Sequence, residues 1–108
     1  MTKAEGYTEQ GIEGVALMFD TNKGLANVLY QNTPNPFSNQ TVVSFNLKQS
    51  GKAQILITDV DGKLIQEIGG TFPQGLNSVE LDRINIPGIY YYQLNTEGYT
   101  AVKKMIKI

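Results

Sequence analysis

The chain has 108 residues, which is enough for one domain with a single hydrophobic core. Its net charge is −1, so it has no electrostatic attraction for nucleic acid or anionic lipid. Cysteine and histidine are absent, which removes disulfides, the commonest metal ligands and the usual general base of enzymes. Its apolar runs are far shorter than the roughly 20 residues of a membrane-spanning helix. We therefore expect a domain that is not an enzyme, holds no cofactor or metal, binds no nucleic acid and does not insert into a membrane.

The N-terminal quarter carries weak signals. Residues 1–11 are polar, and we interpret them as a partly ordered lead or as the tail of a preceding domain. Residues 12–20 predict a strand, with a short helix as the alternative, before turn formers at 21–24. No apolar signal peptide follows Met1, so the chain is either cytoplasmic or a fragment of a longer protein, and the lack of cysteine does not separate these two.

The segment Asn32–Asn39 contains Pro34 and Pro36. Each proline fixes its own φ, lacks an N–H donor and pushes the preceding residue toward β or polyproline geometry. This composition predicts a rigid, extended entry to the domain. In physical terms alone, its simplest role is to end an edge strand, because proline cannot extend a hydrogen-bonded ladder.

From Thr41 onward, alternating apolar segments are separated by turn formers at a spacing of roughly ten residues, which is typical of a β-sandwich. We predict an all-β fold, an Ig-like antiparallel β-sandwich of about seven strands. Gly69–Gly75 is predicted as a long loop, and Asp82–Pro87 as a crossing between the two sheets. The residues predicted to face the core are Val43, Phe45, Leu47, Ala53, Ile55, Ile57, Leu76, Val79 and Leu81.

Asp61 and Gly62 predict a two-residue hairpin loop of type I′, in which both central residues need a positive φ. The preceding Asp59 makes the sequence similar to the start of a calcium-binding loop. The glycine and glutamate that an EF-hand requires further along are replaced by Leu64 and Gly70, so the hairpin is the better interpretation.

The last stretch, Gly88–Ile108, predicts two strands joined by a glycine-containing turn. Tyr90 and Tyr92 share one strand face, which favours a role in the core over a stacking platform for sugars or bases. The Tyr90 hydroxyl is expected to bond back to the preceding loop, as tyrosine corners do in Ig-like sandwiches. The final strand has an alternating pattern of lysines and apolar residues that is typical of a protected edge.

Three marks occur in order in this domain: Leu29–Phe37, Gly88-Ile89-Tyr90 and Lys103-Lys104-Met105-Ile106. Together with the hairpin Asp59–Lys63, they closely resemble the type A C-terminal sorting domain of the type IX secretion system, also called the Por secretion system, of Bacteroidetes. The resemblance covers about Val28–Ile108. One departure is the entry, where Gln31-Asn32-Thr33-Pro34 replaces the usual Tyr-Pro-Asn-Pro.

The resemblance implies a sorting domain at 28–108 and a lead or cargo tail at 1–27. Its implied function is to direct an attached N-terminal cargo across the outer membrane, with passage through the periplasm and a final position at the cell surface or outside the cell. The implied partners are the outer-membrane translocon, shuttle proteins and a sortase-like surface protease that cuts between Asp20 and Asn27.

The resemblance also implies which residues the translocon recognises: Pro34, Asn35, Pro36, Phe37, Gly88, Tyr90, Lys103, Lys104 and Ile108. Because the sequence stops within a lysine-bearing strand, we hypothesise that the translocon recognises this terminal strand and its carboxylate by adding a strand to this edge. The alternatives are a generic Ig-like or fibronectin-like binding or adhesion module of a secreted protein, which exposed aromatic residues on one sheet face would favour, and a structural spacer.

Overall fold

The structure is a computed structural model that describes residues 26–108. Its strands in this range are β1 (Val28–Leu29), β2 (Thr41–Leu47), β3 (Gly51–Asp59), β4 (Leu64–Phe72), β5 (Gly75–Leu81), β6 (Gly88–Thr96) and β7 (Tyr99–Lys107). They form a three-stranded sheet in the order β1-β2-β5 and a four-stranded sheet in the order β4-β3-β6-β7, with antiparallel neighbours throughout. The prediction of an all-β sandwich is confirmed. The strand predicted at 12–20 lies outside the described residues, none of which forms a helix able to cross a bilayer.

The core lies between the two sheets. Phe45 of β2 is fully buried, and its ring meets the ring of Phe72 edge to face, with centroids 5.2 Å apart. Each large apolar side chain removed from water in this way stabilises the fold by about 1.5–3 kcal/mol. The other buried apolar residues are Leu29, Phe37, Val43, Leu47, Ala53, Ile55, Ile57, Leu81, Ile84, Tyr90, Tyr92, Leu94 and Met105.

The prediction of a long loop at Gly69–Gly75 is wrong. β4 continues through both glycines to Phe72, and only Pro73 and Gln74 separate it from β5. Gly69 and Gly70 stay in the ladder because they pair with Gln54 and Ala53 of β3. Glycine weakens a strand without forbidding it, and the buried side of Phe72 favours the continued pairing.

The prediction that Leu76 belongs to the core is also wrong. Leu76 is 68% exposed, whereas Leu81 is fully buried and Val79 is half-buried. Side chains of a strand alternate between its faces, so Leu76 and Leu81, five positions apart, point to opposite sides. β5 therefore contributes Val79 and Leu81 to the core.

The β3–β4 hairpin has a three-residue loop, not the predicted two-residue loop. Asp59 N–H donates to Lys63 O at 3.0 Å, and Gly62 N–H donates to Asp59 O at 3.0 Å. Gly62 closes this turn with a φ of +84°, in the left-handed region that is expected of the last residue of a three-residue hairpin loop. The Asp59 carboxylate accepts the N–H groups of Asp61 and Lys63, both at 2.9 Å. This carboxylate thus holds the turn.

The segment Asp82–Pro87 crosses from the three-stranded to the four-stranded sheet, as predicted. Ile84 lies buried in the middle of this crossing. The hydroxyl of Tyr90 donates to the carbonyl oxygen of Ile86 at 2.6 Å, so the predicted tyrosine corner is confirmed. This bond fixes the start of β6 against the crossing segment.

Candidate functional site

A segment that we name the strap, residues Tyr30–Phe37, runs along one side of the sandwich and connects its sheets. It begins beside β2, where Tyr30 N–H donates to Ser44 O at 3.0 Å. Thr33 and Val42 then exchange two backbone hydrogen bonds, at 3.0 and 2.9 Å. The first half of the strap thus belongs to the three-stranded sheet.

The second half of the strap belongs to the four-stranded sheet. Phe37 forms a parallel bridge beside β7, in which its N–H donates to Ile106 O at 3.0 Å and its carbonyl accepts Ile108 N–H at 2.9 Å. The Asn35 side chain accepts Ile106 N–H at 2.9 Å. Because the Phe37 ring is buried, the strap is attached both to the backbone edge of β7 and to the core.

The strap is bent, in contrast to the extended entry that we predicted. Bends occur at residues 34–36, and the Thr33–Pro34 and Asn35–Pro36 peptide bonds are both cis. A buried polar cluster holds this shape. The Asn32 amide donates to Pro34 O at 3.1 Å and to Thr41 Oγ1 at 3.0 Å, and the Thr41 hydroxyl donates to Pro34 O at 2.8 Å. Both polar residues are buried, so their mutual hydrogen bonds offset the loss of water.

Tyr92 of β6 connects the strap to the centre of the fold. Its hydroxyl oxygen accepts Asn32 N–H at 2.8 Å, and its proton is donated to Tyr30 O at 2.8 Å. Burial raises the pKa of Tyr92 to about 12, partly offset by the hydrogen bond from Asn32. The hydroxyl therefore keeps its proton at neutral pH and satisfies two backbone groups at once. Sequence reasoning identified Tyr92 only as a core residue.

The residues implied in recognition lie in two environments. Pro34, Asn35, Pro36, Gly88, Lys104 and Ile108 are exposed, Lys103 is half-buried, and Phe37 and Tyr90 are buried. Lys107 pairs with Gly88 on one side and with Phe37 on the other, which brings Gly88, the end of β7 and the end of the strap together. Lys103 lies further along β7, opposite Tyr92.

The outer face of the four-stranded sheet adds exposed residues beside the strap that sequence reasoning did not select. Tyr91 is 38% exposed and lies opposite Lys104, while Ile89 is exposed and lies opposite Ile106. Alternation along β6 already places Ile89 and Tyr91 on the face opposite the buried Tyr90, which is the signal that identifies them. We name the exposed residues Asn35, Ile89, Tyr91, Lys104 and Ile108 the terminal patch.

The backbone edge of β7 beside the terminal patch is not free for strand addition. Gln31 Nε2 donates to Lys104 O at 2.8 Å. The Ile106 N–H is bonded to the Asn35 side chain, and the Ile106 carbonyl and the Ile108 N–H are bonded to the Phe37 backbone. The strap therefore takes most of the outward backbone groups over the last five residues. An added strand there would have to displace it.

A hollow of about 530 Å³ lies at the other end of the same sheet, where β6 ends. Its lining includes Lys52, Gln54, Thr71 and Asn95 and, within the described residues, no aromatic side chain. None of the residues implied in recognition lies there.

A solved structure of dimeric latent PorU from Porphyromonas gingivalis is similar to this chain, with a TM-score of 0.62 at 17% sequence identity. The similarity covers 90% of this chain and 10% of that one, so this chain spans only about a tenth of PorU. At this identity the likeness shows the fold alone. No curated protein is similar enough to the chain to count as a match.

The family model described as "Secretion system C-terminal sorting domain" matches residues 33–108. The match begins within the strap and includes β2 to β7, so it covers the strap's bend, the tyrosine corner and the terminal patch. The chain belongs to the family of C-terminal sorting domains of the type IX secretion system.

Proposed function

We propose that the type IX export machinery binds the terminal patch, a surface that exists only when the strap is bound to β7. The domain is a C-terminal sorting signal, and its family consists of signals rather than catalysts. The observation that carries the proposal is the bond from Ile106 N–H to Asn35 Oδ1 at 2.9 Å. It places Pro34–Pro36 beside the exposed end of β7, so two separate parts of the sequence form one surface.

The residues implied in recognition divide by exposure in this proposal. The exposed residues Pro34, Asn35, Pro36, Lys104 and Ile108 contact the partner. Phe37 and Tyr90 are buried, so their role is to hold the strap and the β6 corner in place. Gly88 serves the same corner, and Lys103, which pairs with the buried Tyr92, lies on the opposite face of β7 from Lys104 and does not contact the partner. A rigid scaffold that presents a surface is the usual way in which a folded domain is recognised.

The mode of recognition is side-chain docking on the terminal patch. Strand addition at the last five residues is disfavoured because the strap already occupies most of the outward backbone groups there. The apolar side chains of Ile89, Tyr91 and Ile108 and the charge of Lys104 suit a partner surface with an apolar centre and an acidic rim.

The remaining parts of the proposal concern the path of the protein. Export to the cell surface or the surroundings follows from a sorting signal of this family. We infer that residues 28–108 form the domain, that 1–27 connect it to an N-terminal cargo, and that the cargo passes through the periplasm. The outer-membrane translocon and shuttle proteins bind the domain, and a sortase-like surface protease cuts between Asp20 and Asn27. The domain itself performs no catalysis.

Nothing in the described residues favours the alternative of a generic binding module. Tyr91, at 38% exposure, is the one exposed aromatic residue among residues 26–108, and the hollow lacks aromatic lining. Stacking on several aromatic rings would be the physical basis of sugar binding on such a sheet.

The experiment is a reporter fused between a signal peptide and residues 28–108 in a type IX-competent host. Lys104→Glu reverses the charge of the terminal patch, and Lys52→Glu is the matched control at the opposite end of the same sheet. We expect the wild-type and K52E fusions at the cell surface and the K104E fusion retained in the periplasm, while all three purified domains melt at similar temperatures. Normal export of a folded K104E fusion would exclude recognition of the patch.

A further inference from the structure

The two sides of the sandwich differ in how their edges are covered. The strap closes the side on which β1 and β7 lie. On the other side β4 pairs with β3 alone, and no strand among residues 26–108 pairs with its outer edge. β4 is nine residues long, which makes this edge one of the longest in the domain.

The hydrogen-bonding direction along β4 follows from the strap. Phe37 binds the Ile106 carbonyl and the Ile108 amide from outside β7, so the even-numbered residues of β7 point away from β6. Along an antiparallel strand, the N–H and C=O groups of successive residues point alternately to one neighbouring strand and to the other. The alternation is carried across the sheet by the pairs Tyr90–Met105, Ile57–Tyr92 and Ile57–Gln66. As a result, the N–H and C=O groups of Glu67, Gly69 and Thr71 point away from β3.

The composition of β4 does not protect this edge. β4 contains no lysine, arginine or proline, and its one charged residue is Glu67. Leu64 and Ile65 are exposed large apolar residues at its start. β7, in contrast, carries Lys103, Lys104 and Lys107 and is covered by the strap. Long edges without charge or proline are the ones at which sheets join.

We propose that β4 is a self-association edge, at which β4 of a second copy of this chain adds in antiparallel orientation. A two-fold axis at Gly69 places Glu67 opposite Thr71 of the second copy, and Ile68 opposite its Gly70. Like charges are then not opposed, and the branched Ile68 meets a position without a side chain. Three hydrogen-bonded pairs in this register exchange about six backbone hydrogen bonds. The two four-stranded sheets become one continuous sheet.

The test is sedimentation velocity of the full chain over a range of concentrations, with Gly69→Pro and Gly69→Ala as a matched pair. Proline at position 69 removes an outward N–H but no bond to β3, and a Cβ there meets nothing closer than 3.9 Å. We expect a monomer–dimer equilibrium for the wild-type and G69A chains and a monomer for G69P. Monomers at every concentration, or a dimer that survives G69P, would overturn the proposal.

A charge substitution tests the register. Thr71→Glu places one glutamate opposite each Glu67, which creates two like-charge pairs in the dimer, and should raise the dimer Kd by about 2- to 30-fold, from the usual size of cross-strand charge effects. Thr100→Glu makes the same change on β7 and should leave the Kd unchanged.

Hydrogen exchange distinguishes a β4 edge that is covered by a second copy from one that is covered by another part of the same chain. The amides of Glu67, Gly69 and Thr71 should exchange more slowly as the concentration rises. Slow exchange at every concentration would show that another part of the same chain covers the edge, and it would contradict the proposal.

Discussion

The phenolic oxygen of Tyr92 accepts the backbone N–H of Asn32 over 2.8 Å, which joins residues 60 positions apart in the chain. The same hydroxyl donates to Tyr30 O, so one side chain of β6 satisfies two backbone groups of the strap. The family's proline-rich entry is therefore held from within the core as well as along the edge of β7. The shape of the terminal patch depends on this internal contact.

Replacing this tyrosine tests the contact. We expect Tyr92→Phe to lower the free energy of unfolding by about 2–4 kcal/mol, because the buried Asn32 N–H and the part-buried Tyr30 carbonyl both lose their partner. Urea denaturation monitored by circular dichroism measures the change. Tyr91→Phe, at the exposed neighbouring position, should change stability by less than about 0.5 kcal/mol. Equal effects of the two variants would contradict the assigned role of the Tyr92 hydroxyl.

The same side chain predicts a loss of stability in strong base. Burial raises the pKa of Tyr92 to about 12, against 10.0 for an ordinary tyrosine. Below pH 10 both the folded and the unfolded chain keep the proton, and the contribution of the hydroxyl is complete. Between pH 10 and 12 the unfolded chain loses its proton first, so the free energy of unfolding falls by up to about 1.4 kcal/mol per pH unit.

Urea denaturation of the wild-type and Y92F chains at pH 8, 10 and 11 measures this loss. The stability difference between them should shrink as the pH rises above 10, since only the wild-type chain has this group to ionise. Parallel pH profiles would show that the hydroxyl is not held in its protonated form by the fold.

The attachment of the strap to β7 depends on an amide oxygen. Asn35→Ala removes the acceptor of Ile106 N–H, whereas Asn35→Asp keeps an oxygen at the same place. We expect hydrogen exchange at the Ile106 amide to become about 2- to 10-fold faster in N35A, the size of one ordinary hydrogen bond, and to stay slow in N35D. Unchanged exchange in N35A would mean that the Phe37 bridge alone holds the strap.

The hairpin between β3 and β4 depends on a glycine conformation. Gly62 has a φ of +84° with open space where a Cβ would lie, so the cost of Gly62→Ala is conformational. We expect a loss of about 1–2 kcal/mol. Gly51→Ala is the control, because Gly51 also has open space but no positive φ, and it should be nearly neutral. Thermal denaturation of both variants measures the difference.

The two leucines of β5 test which face of this strand is buried. Leu81→Ala should destabilise the fold by about 2–5 kcal/mol, because Leu81 is fully buried. Leu76→Ala should have little effect, since Leu76 is 68% exposed. Chemical denaturation compares them, and a large effect of L76A would indicate that its face is covered in solution.

Much of the fold follows from local patterns. Alternation identified Val43, Phe45 and Leu47 as core residues, and each is buried. Leu76 was predicted as a core residue from its hydrophobicity, whereas strict two-residue alternation with Val79 and Leu81 places it on the opposite, exposed face. The loop assigned to Gly69–Gly75 was wrong for another reason: glycine marks turns in general, but here the ladder with β3 determines its conformation.

The sequence by itself determined the all-β class, most of the succession of strands along the chain and the three marks that identify a type IX sorting domain. These depend on side-chain alternation and on short motifs. Only the tertiary structure decided that the strap lies on β7, that Tyr92 holds it, and that the terminal backbone groups are already occupied. The physical reason is distance along the chain. Hydrogen bonds such as Asn35 to Ile106 join positions 71 apart, and local preference carries no information about pairs so far separated.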